Sequence, residues 1–252
     1  MSRRKRNLEV PFGQESFTVR QIKRRKPISN DYLLNIEPLT DNQKRLFDAY
    51  EQGKNVVAYG AAGSGKSFIC LYNALKEVLN DVTPYETIYI VRSLVQTREI
   101  GFMPGDESQK QGYFEIPYKN MVKYMFKLPS EADFDMLYDN LKLQKTIKFY
   151  NTSFLRGLTL DNCIIIVDEM QNCNFHELCS IITRVGENTK IMFCGDATQS
   201  DLIKSAEKNG IIDFLRILEI MDSFDLIEFE INDVCRSGIV KEFLTAKYQL
   251  GL

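Results

Sequence analysis

The chain has 252 residues and a formal net charge of −2, with 44% hydrophobic and 26% charged residues. That balance is ordinary for a globular chain able to build one sizeable core. No run approaches the roughly 18 apolar residues of a membrane span, and the N-terminus lacks the apolar segment of a secretory leader. Neither membrane insertion nor export is expected. The six cysteines form no CxxC pair and His176 is the only histidine, which excludes a histidine-rich metal site. Cys163 and Cys194 fall inside apolar runs, where a free thiol behaves as a small hydrophobe. A reduced, cytoplasmic protein is the expectation.

Charge is unevenly spread. Residues 1–26 hold nine Lys/Arg against Glu9 and Glu15, a local +7 that leaves −9 on the remainder. Such an arm either attracts nucleic acid or serves as a solubilising, partly disordered tail. The organisation reads as a basic extension over 1–38 followed by one continuous domain over 39–252, with no internal repeat.

In chain order, Thr40 opens a helix, with Gln43 placed three residues on to close a capping box. Asn55–Tyr59 is a short apolar strand, followed by a glycine-rich loop and a helix from Lys66 to about Leu79. Thr87–Val91 reads as a buried strand. Residues 94–130 read as irregular, because Gly101, Pro104, Gly105 and Gly112 break any period. A helix near 133–143 precedes a strand at Thr146–Tyr150. Cys163–Val167 and Lys190–Cys194 are wholly apolar strands on either side of a helix around His176–Thr183. Leu226–Glu230 is the last strand and Val240–Tyr248 the last helix. Continuous apolar strands alternating with helices predict an α/β fold, a mostly parallel sheet flanked by helices on both faces.

Gly60-Ala61-Ala62-Gly63-Ser64-Gly65-Lys66-Ser67 matches the P-loop pattern between a predicted strand and a predicted helix, the setting that motif requires. Its glycines let backbone N–H groups turn inward around phosphates, and the helix N-terminus adds its positive end. Lys66 is placed to reach the β- and γ-phosphates, and the Ser67 hydroxyl to ligate Mg²⁺. The chemistry this predicts is binding of ATP with Mg²⁺.

Cys163–Val167 runs into Asp168-Glu169 at the end of a strand, the edge at which open α/β sheets bind ligands. Asp168 fits the acid that holds Mg²⁺, and the adjacent Glu169 fits a general base acting on water. After the next apolar strand comes Gly195-Asp196-Ala197-Thr198-Gln199, where Gln199 is placed to sense the γ-phosphate or the attacking water.

These pieces together resemble the PhoH-like ATPases, whose core is similar to one RecA-like half of a superfamily 1 helicase. The likeness runs from about Leu39 to Tyr248. It rests on Leu39-Thr40-Asp41-Asn42-Gln43, the P-loop, Gly101-Phe102-Met103-Pro104-Gly105-Asp106 and Leu155-Arg156-Gly157-Leu158-Thr159. Asp168-Glu169-Met170-Gln171-Asn172, Thr183-Arg184-Val185-Gly186, Gly195-Asp196 with Gln199-Ser200-Asp201, and Asp233-Val234-Cys235-Arg236 complete it. The chain departs from the family in Leu158, where a second arginine is usual, in Met170 for alanine, and in Ser237 for histidine. No nuclease-like PIN domain is expected.

The resemblance implies that Gln43 reads adenine through its amide; the capping box with Thr40 is the competing role. It implies that Arg236 is a helicase-type arginine finger, against which stands simple pairing with Asp233. Arg92 and Arg156 either neutralise phosphate or pair with an acid. Since a helicase closes ATP between two such halves, a homo-oligomeric ring, a hexamer, is expected, with Arg236 entering the neighbouring subunit's site. Single-stranded RNA or DNA is the expected polymer. The segment 94–130 would supply Arg98, Lys110, Lys119 and Lys123 interleaved with Phe102, Tyr113, Phe114 and Tyr118; packing of these aromatics onto the domain is the competing role. Three functions follow: an ATPase coupled to nucleic acid, a slow nucleotide-dependent assembly switch, and, less well matched to a water-activating glutamate, a small-molecule kinase.

Overall fold

The computed structural model of the protein describes residues 32–93, 107–155, 157–196 and 205–250. Within them six strands, β1 (Asn55–Gly60), β2 (Thr87–Arg92), β3 (Ile147–Asn151), β4 (Cys163–Val167), β5 (Thr189–Gly195) and β6 (Phe224–Phe229), lie in the order β3-β2-β4-β5-β1-β6. Every neighbouring pair is parallel. Parallel strands need long crossovers, and helices laid on both faces bury the sheet twice over. That is why β4 is buried at every position and reads as an unbroken apolar run. The sheet flanked by helices is the α/β architecture expected of a RecA-like P-loop core.

Among the described residues the helices are α1 (Asp41–Glu51), α2 (Lys66–Val78), α3 (Glu107–Met125), α4 (Glu131–Leu143), α5 (Phe175–Ile182), α6 (Ser205–Glu219) and α7 (Ile239–Gln249), the last of which buries no residue. Alternation along each strand divides the apolar side chains between two cores. Val56, Ala58, Ile88, Ile90, Ile164 and Ile166 meet buried residues of α1 to α4. Val57, Val91, Ile165, Val167, Ile191 and Phe193 meet α5 and α6, with Phe193 and Phe214 edge to face at 5.1 Å. Burial pushes the Cys163 thiol up to about 11 and that of Cys173 up to about 12, so both remain protonated core residues. All six cysteines are free. Among the described residues no helix is long and apolar enough to cross a membrane.

Two expectations about local structure are corrected. Residues 107–125 are helical despite Gly112 and despite Pro117 inside the helix. Tyr118, Val122 and Met125, spaced i, i+4 and i+7, are buried in the core, and this docking outweighs the proline penalty of about 3 kcal/mol. The capping box at α1 is also displaced. The Thr40 hydroxyl accepts from the Gln43 backbone N–H at 3.3 Å, but the Gln43 side chain accepts from Leu39 N at 2.7 Å instead of turning to Thr40. Helix α6 has no counterpart among the expected elements.

Candidate nucleotide site

Because all strands point the same way, the ends of β1, β4 and β5 open onto one edge, with β5 standing between the other two. Between β1 and α2 the backbone takes positive φ at Gly60, Gly63 and Gly65, of 107°, 77° and 86°, a region that side chains disfavour. At Gly60 there is a second reason for glycine: a Cβ would stand 2.2 Å from the Phe229 carbonyl oxygen. That same carbonyl accepts from Ala61 N at 2.7 Å, tying the loop to β6. Ser64 is buried and its hydroxyl donates to the Ala61 carbonyl at 2.8 Å. Helix α2 starts at Gly65 without a side-chain cap, so its first N–H groups are left to a ligand. Ala62 lies half-buried in the middle of this turn.

Lys66 is buried, and its ammonium donates to the carbonyls of Gly60 at 2.9 Å and Ala61 at 2.7 Å, and to Ser64 Oγ at 3.2 Å. Burial lowers its pKa, partly offset by the carboxylates of Asp196, Glu169 and Asp168. Phosphate entering the loop would exchange these carbonyl bonds for a charged partner.

The acid pair of β4 is brought to this lysine. Ser67 Oγ donates to Asp168 Oδ1 at 2.6 Å, and Tyr118 Oη donates to Asp168 Oδ2 at 2.5 Å. Asp168 is only 6% exposed and is satisfied by these two hydroxyls. Among the described residues no group of three His, Cys, Asp or Glu side chains is placed to chelate a metal. One hydroxyl and one carboxylate remain, the donor set Mg²⁺ uses when substrate phosphates complete its shell. The residues present therefore fit the ion.

Glu169 adopts left-handed backbone angles of φ 53° and ψ 45°, which cost a non-glycine residue of the order of 1–3 kcal/mol and concentrate at functional sites. Gln171 Nε2 donates to its Oε2 at 2.5 Å, and Arg92 Nη2 lies 3.7 Å from its Oε1. The Gln171 side-chain Oε1 in turn accepts from Asp196 N at 3.0 Å. Gly195 makes this approach feasible, since a Cβ there would lie 2.4 Å from Gln171 Oε1 and 2.8 Å from Met170 Cγ. The ends of β4 and β5 are thereby joined. Gln199 and Arg156 lie outside the described residues.

Gln43 is buried against the loop, donating from Nε2 to the Ser64 carbonyl at 2.9 Å and to Cys235 Sγ at 3.1 Å. With Oε1 held by Leu39 N, both ends of the amide expected to read adenine are already engaged. Cys235 N donates to the Gly63 carbonyl at 3.1 Å. Arg236 follows directly, its Cγ 3.0 Å from the point where a Cβ on Gly63 would stand. The aliphatic stem of Arg236 thus stands beside Gly63 in the P-loop of its own chain. Asp233, the alternative partner for Arg236, is engaged elsewhere. Its Oδ2 accepts from Asn42 Nδ2 and Glu230 N, both at 2.8 Å. Burial alone would raise the Asp233 pKa, but hydrogen bonds from Thr40, Asn42 and the Glu230 backbone hold it below the usual value.

Sequence reasoning missed the roles of Tyr118 and Gln171, though Gln171 stands in a motif already singled out. It also offered the cations and aromatics of 94–130 as a strand-binding segment, with packing of the aromatics onto the domain as the competing role. Tyr118 is instead buried on Asp168, Phe114 lies 6.0 Å from the Arg92 guanidinium, Lys119 pairs with Asp135 at 2.7 Å, and Lys123 pairs with Glu131. Arg98 and Phe102 and the side chains of Lys110 and Tyr113 lie outside the described residues.

A family model described as PhoH-like protein matches residues 35–248. A PhoH-like protein of Mycobacterium leprae (strain TN) is 30% identical over 212 residues, covering 84% of this chain and 58% of that protein. Protein PhoH of Escherichia coli (strain K12) is 29% identical over 207 residues, covering 81% and 56% respectively. The chain thus spans less than two thirds of the length of these relatives. Among solved structures, the large terminase of a thermophilic bacteriophage in complex with ADP aligns with TM-score 0.48 and 12% identity, over 84% of this chain and 50% of that one. Unliganded Pif1 from Bacteroides sp aligns with TM-score 0.39 and 16% identity, over 85% and 46%.

Proposed function

The chain belongs to the PhoH-like protein family, and on that footing we propose that it binds ATP with Mg²⁺ at Gly60–Ser67 and hydrolyses it. The observation that carries this reading is the 2.6 Å contact between Ser67 Oγ and Asp168 Oδ1, formed across 101 positions of sequence. A glycine-rich turn without nucleotide chemistry has no reason to meet a strand-end acid there.

In this reading the loop N–H groups and Lys66 take the charge of the β- and γ-phosphates. Ser67 and Asp168 hold Mg²⁺, which when bound neutralises phosphate oxygens. Glu169 orients the attacking water and accepts its proton. Arg236, whose stem stands beside Gly63, is the finger that meets charge developing on a γ-phosphate, and Gln199, which follows β5 in sequence, is the sensor. Gln43 is assigned to the adenine side, where exchanging its Ser64 and Cys235 bonds for the base edge ties nucleotide binding to α1.

Coupling to single-stranded RNA or DNA is the finer proposal, supported by the +7 arm over residues 1–26. A homo-oligomeric ring, in which Arg236 enters the neighbouring subunit's site, belongs to the same proposal. A cytoplasmic location is in keeping with six free thiols. One observation favours the slower assembly switch: Glu169 Oε2 accepts from Gln171 and Oε1 stands 3.7 Å from Arg92, contacts that compete with water for the base.

Phosphate release from Mg-ATP by wild type and Lys66→Ala, with and without single-stranded RNA or DNA, tests these readings. Turnover that Lys66→Ala abolishes is expected. Strong stimulation by the polymer favours coupling, and a low rate indifferent to it favours the switch. An absence of both ATP binding and hydrolysis under every condition overturns the proposal.

A further inference from the structure

Asp168 lies at the end of β4, where a buried carboxylate costs several kcal/mol unless hydrogen-bonded. One of its two donors comes from the P-loop. The other, Tyr118, comes from α3, fifty positions away in sequence. The ring of Tyr118 is itself confined, 2% exposed and 5.5 Å from the ring of Phe149 on β3. One turn earlier on the same face of α3, Phe114 lies against Arg92, which pairs with Glu169. Residues four apart on a helix share a face. A single helix therefore touches both acids of the site, one directly and one through an arginine.

We propose that α3 is a wall of the nucleotide site and that Tyr118 is a positioning residue, orienting Asp168 so that Oδ1 faces Ser67 and the metal. The inference rests on the ATP reading given above. When the Ser67 hydroxyl turns to a metal, Tyr118 is the donor that still holds Oδ2, and the carboxylate cannot rotate away without breaking that bond. A tyrosine serving only to fill the core would need no charged acceptor at the sheet edge. Hydrogen-bond partners of metal-ligating carboxylates typically carry 10–100-fold of metal affinity.

Tyr118→Phe keeps the ring and removes only the donor. Binding of N-methylanthraniloyl-ATP to the full chain, followed by fluorescence in EDTA and then across a Mg²⁺ titration, separates the two effects. In EDTA the variant should bind as wild type does. The Mg²⁺ midpoint should move upward by about 10–100-fold. Phe149→Leu, which loosens packing around the ring and keeps the hydroxyl, should leave the midpoint near that of wild type. An unchanged midpoint in Tyr118→Phe overturns the assignment while leaving the ATP reading standing. So does an equal loss of affinity with and without Mg²⁺, or a shift in Phe149→Leu as large as in Tyr118→Phe. Failure of wild type to bind the nucleotide at all removes both.

Discussion

Replacing Glu169 by Gln separates the two roles the structure leaves to that side chain, general base and partner of Arg92. The substitution keeps length and shape, and the new amide can still accept from Gln171 Nε2, so the joint to Asp196 survives. What disappears is the charge. If that charge serves only the Arg92 contact, the loss is small. The pair is 3.7 Å apart with side chains 27% and 41% exposed, and partly exposed pairs contribute at most about 1 kcal/mol. That is less than one decade in rate at about 1.36 kcal/mol per decade. If Glu169 takes the proton from water, turnover falls by about 10²–10⁴-fold, or roughly 2.7–5.4 kcal/mol. The two outcomes do not overlap. ATP affinity should stay near wild type, because Lys66, Ser67 and Asp168 are untouched. Steady-state phosphate release together with equilibrium nucleotide binding reads both quantities, and Arg92→Gln is the control, expected to cost less than about tenfold. Turnover of Glu169→Gln within a few-fold of wild type would refute the base assignment.

Arg236→Ala should lower turnover on the order of 10³-fold while sparing ATP binding. Mixing Arg236→Ala with Lys66→Ala protein should restore part of the activity, since in a shared site each subunit keeps what the other lacks; a mixture that recovers nothing would refute the shared site. Away from the site, Lys190 is buried, donating to the Tyr50 carbonyl at 3.1 Å, with Glu77 at 3.9 Å and the Tyr50 ring centroid at 3.7 Å. The Tyr50 carbonyl also accepts from Gly53 N, so Lys190→Met should change stability by no more than about 1 kcal/mol, whereas Glu77→Ala, which leaves the ammonium with one partner fewer, should cost about 1–3 kcal/mol. Burial lowers the Lys190 pKa below its ordinary 10.5. The unfolded chain then binds more protons between the folded value and 10.5, so stability should rise with pH across that window. Urea unfolding should show Lys190→Met flattening the rise, and a loss well above about 1 kcal/mol would contradict the burial argument.

The parts of this fold that local patterns encode are legible in the sequence. The P-loop declares itself by spacing, and the apolar run Cys163–Val167 has the bounds of β4. Helix α3 is not legible, because Gly112 and Pro117 argue against a helix locally and only the packing of Tyr118, Val122 and Met125 reverses that. The pairing of Asp168 with Ser67 is inferable from chemistry, since acid and hydroxyl are expected to share one ion. Its pairing with Tyr118 is not, because nothing in residues 94–130 marks one aromatic among several as the one that turns inward. The approach of Cys235 and Arg236 to Gly63 depends on how 230–236 passes the loop, and no local period records such a path.

That path also explains why residues from both ends of the domain gather at one turn. Gln43, just inside the first helix, donates to the Ser64 carbonyl, and Cys235, near the last helix, donates to that of Gly63. The two are bonded to each other, and close by Asn42 and Asp233 form a second link. Donors supplied from this side hold the loop carbonyls, which is the arrangement that lets loop N–H groups turn to an anion on the other. A phosphate-binding loop must hold several like dipoles side by side, and that repulsion has to be met by the scaffold. Here the scaffold is a clasp closed between residues 192 positions apart, so the shape of the phosphate site depends on α1 and on the segment leading to α7 as much as on the glycines that give the loop its turns.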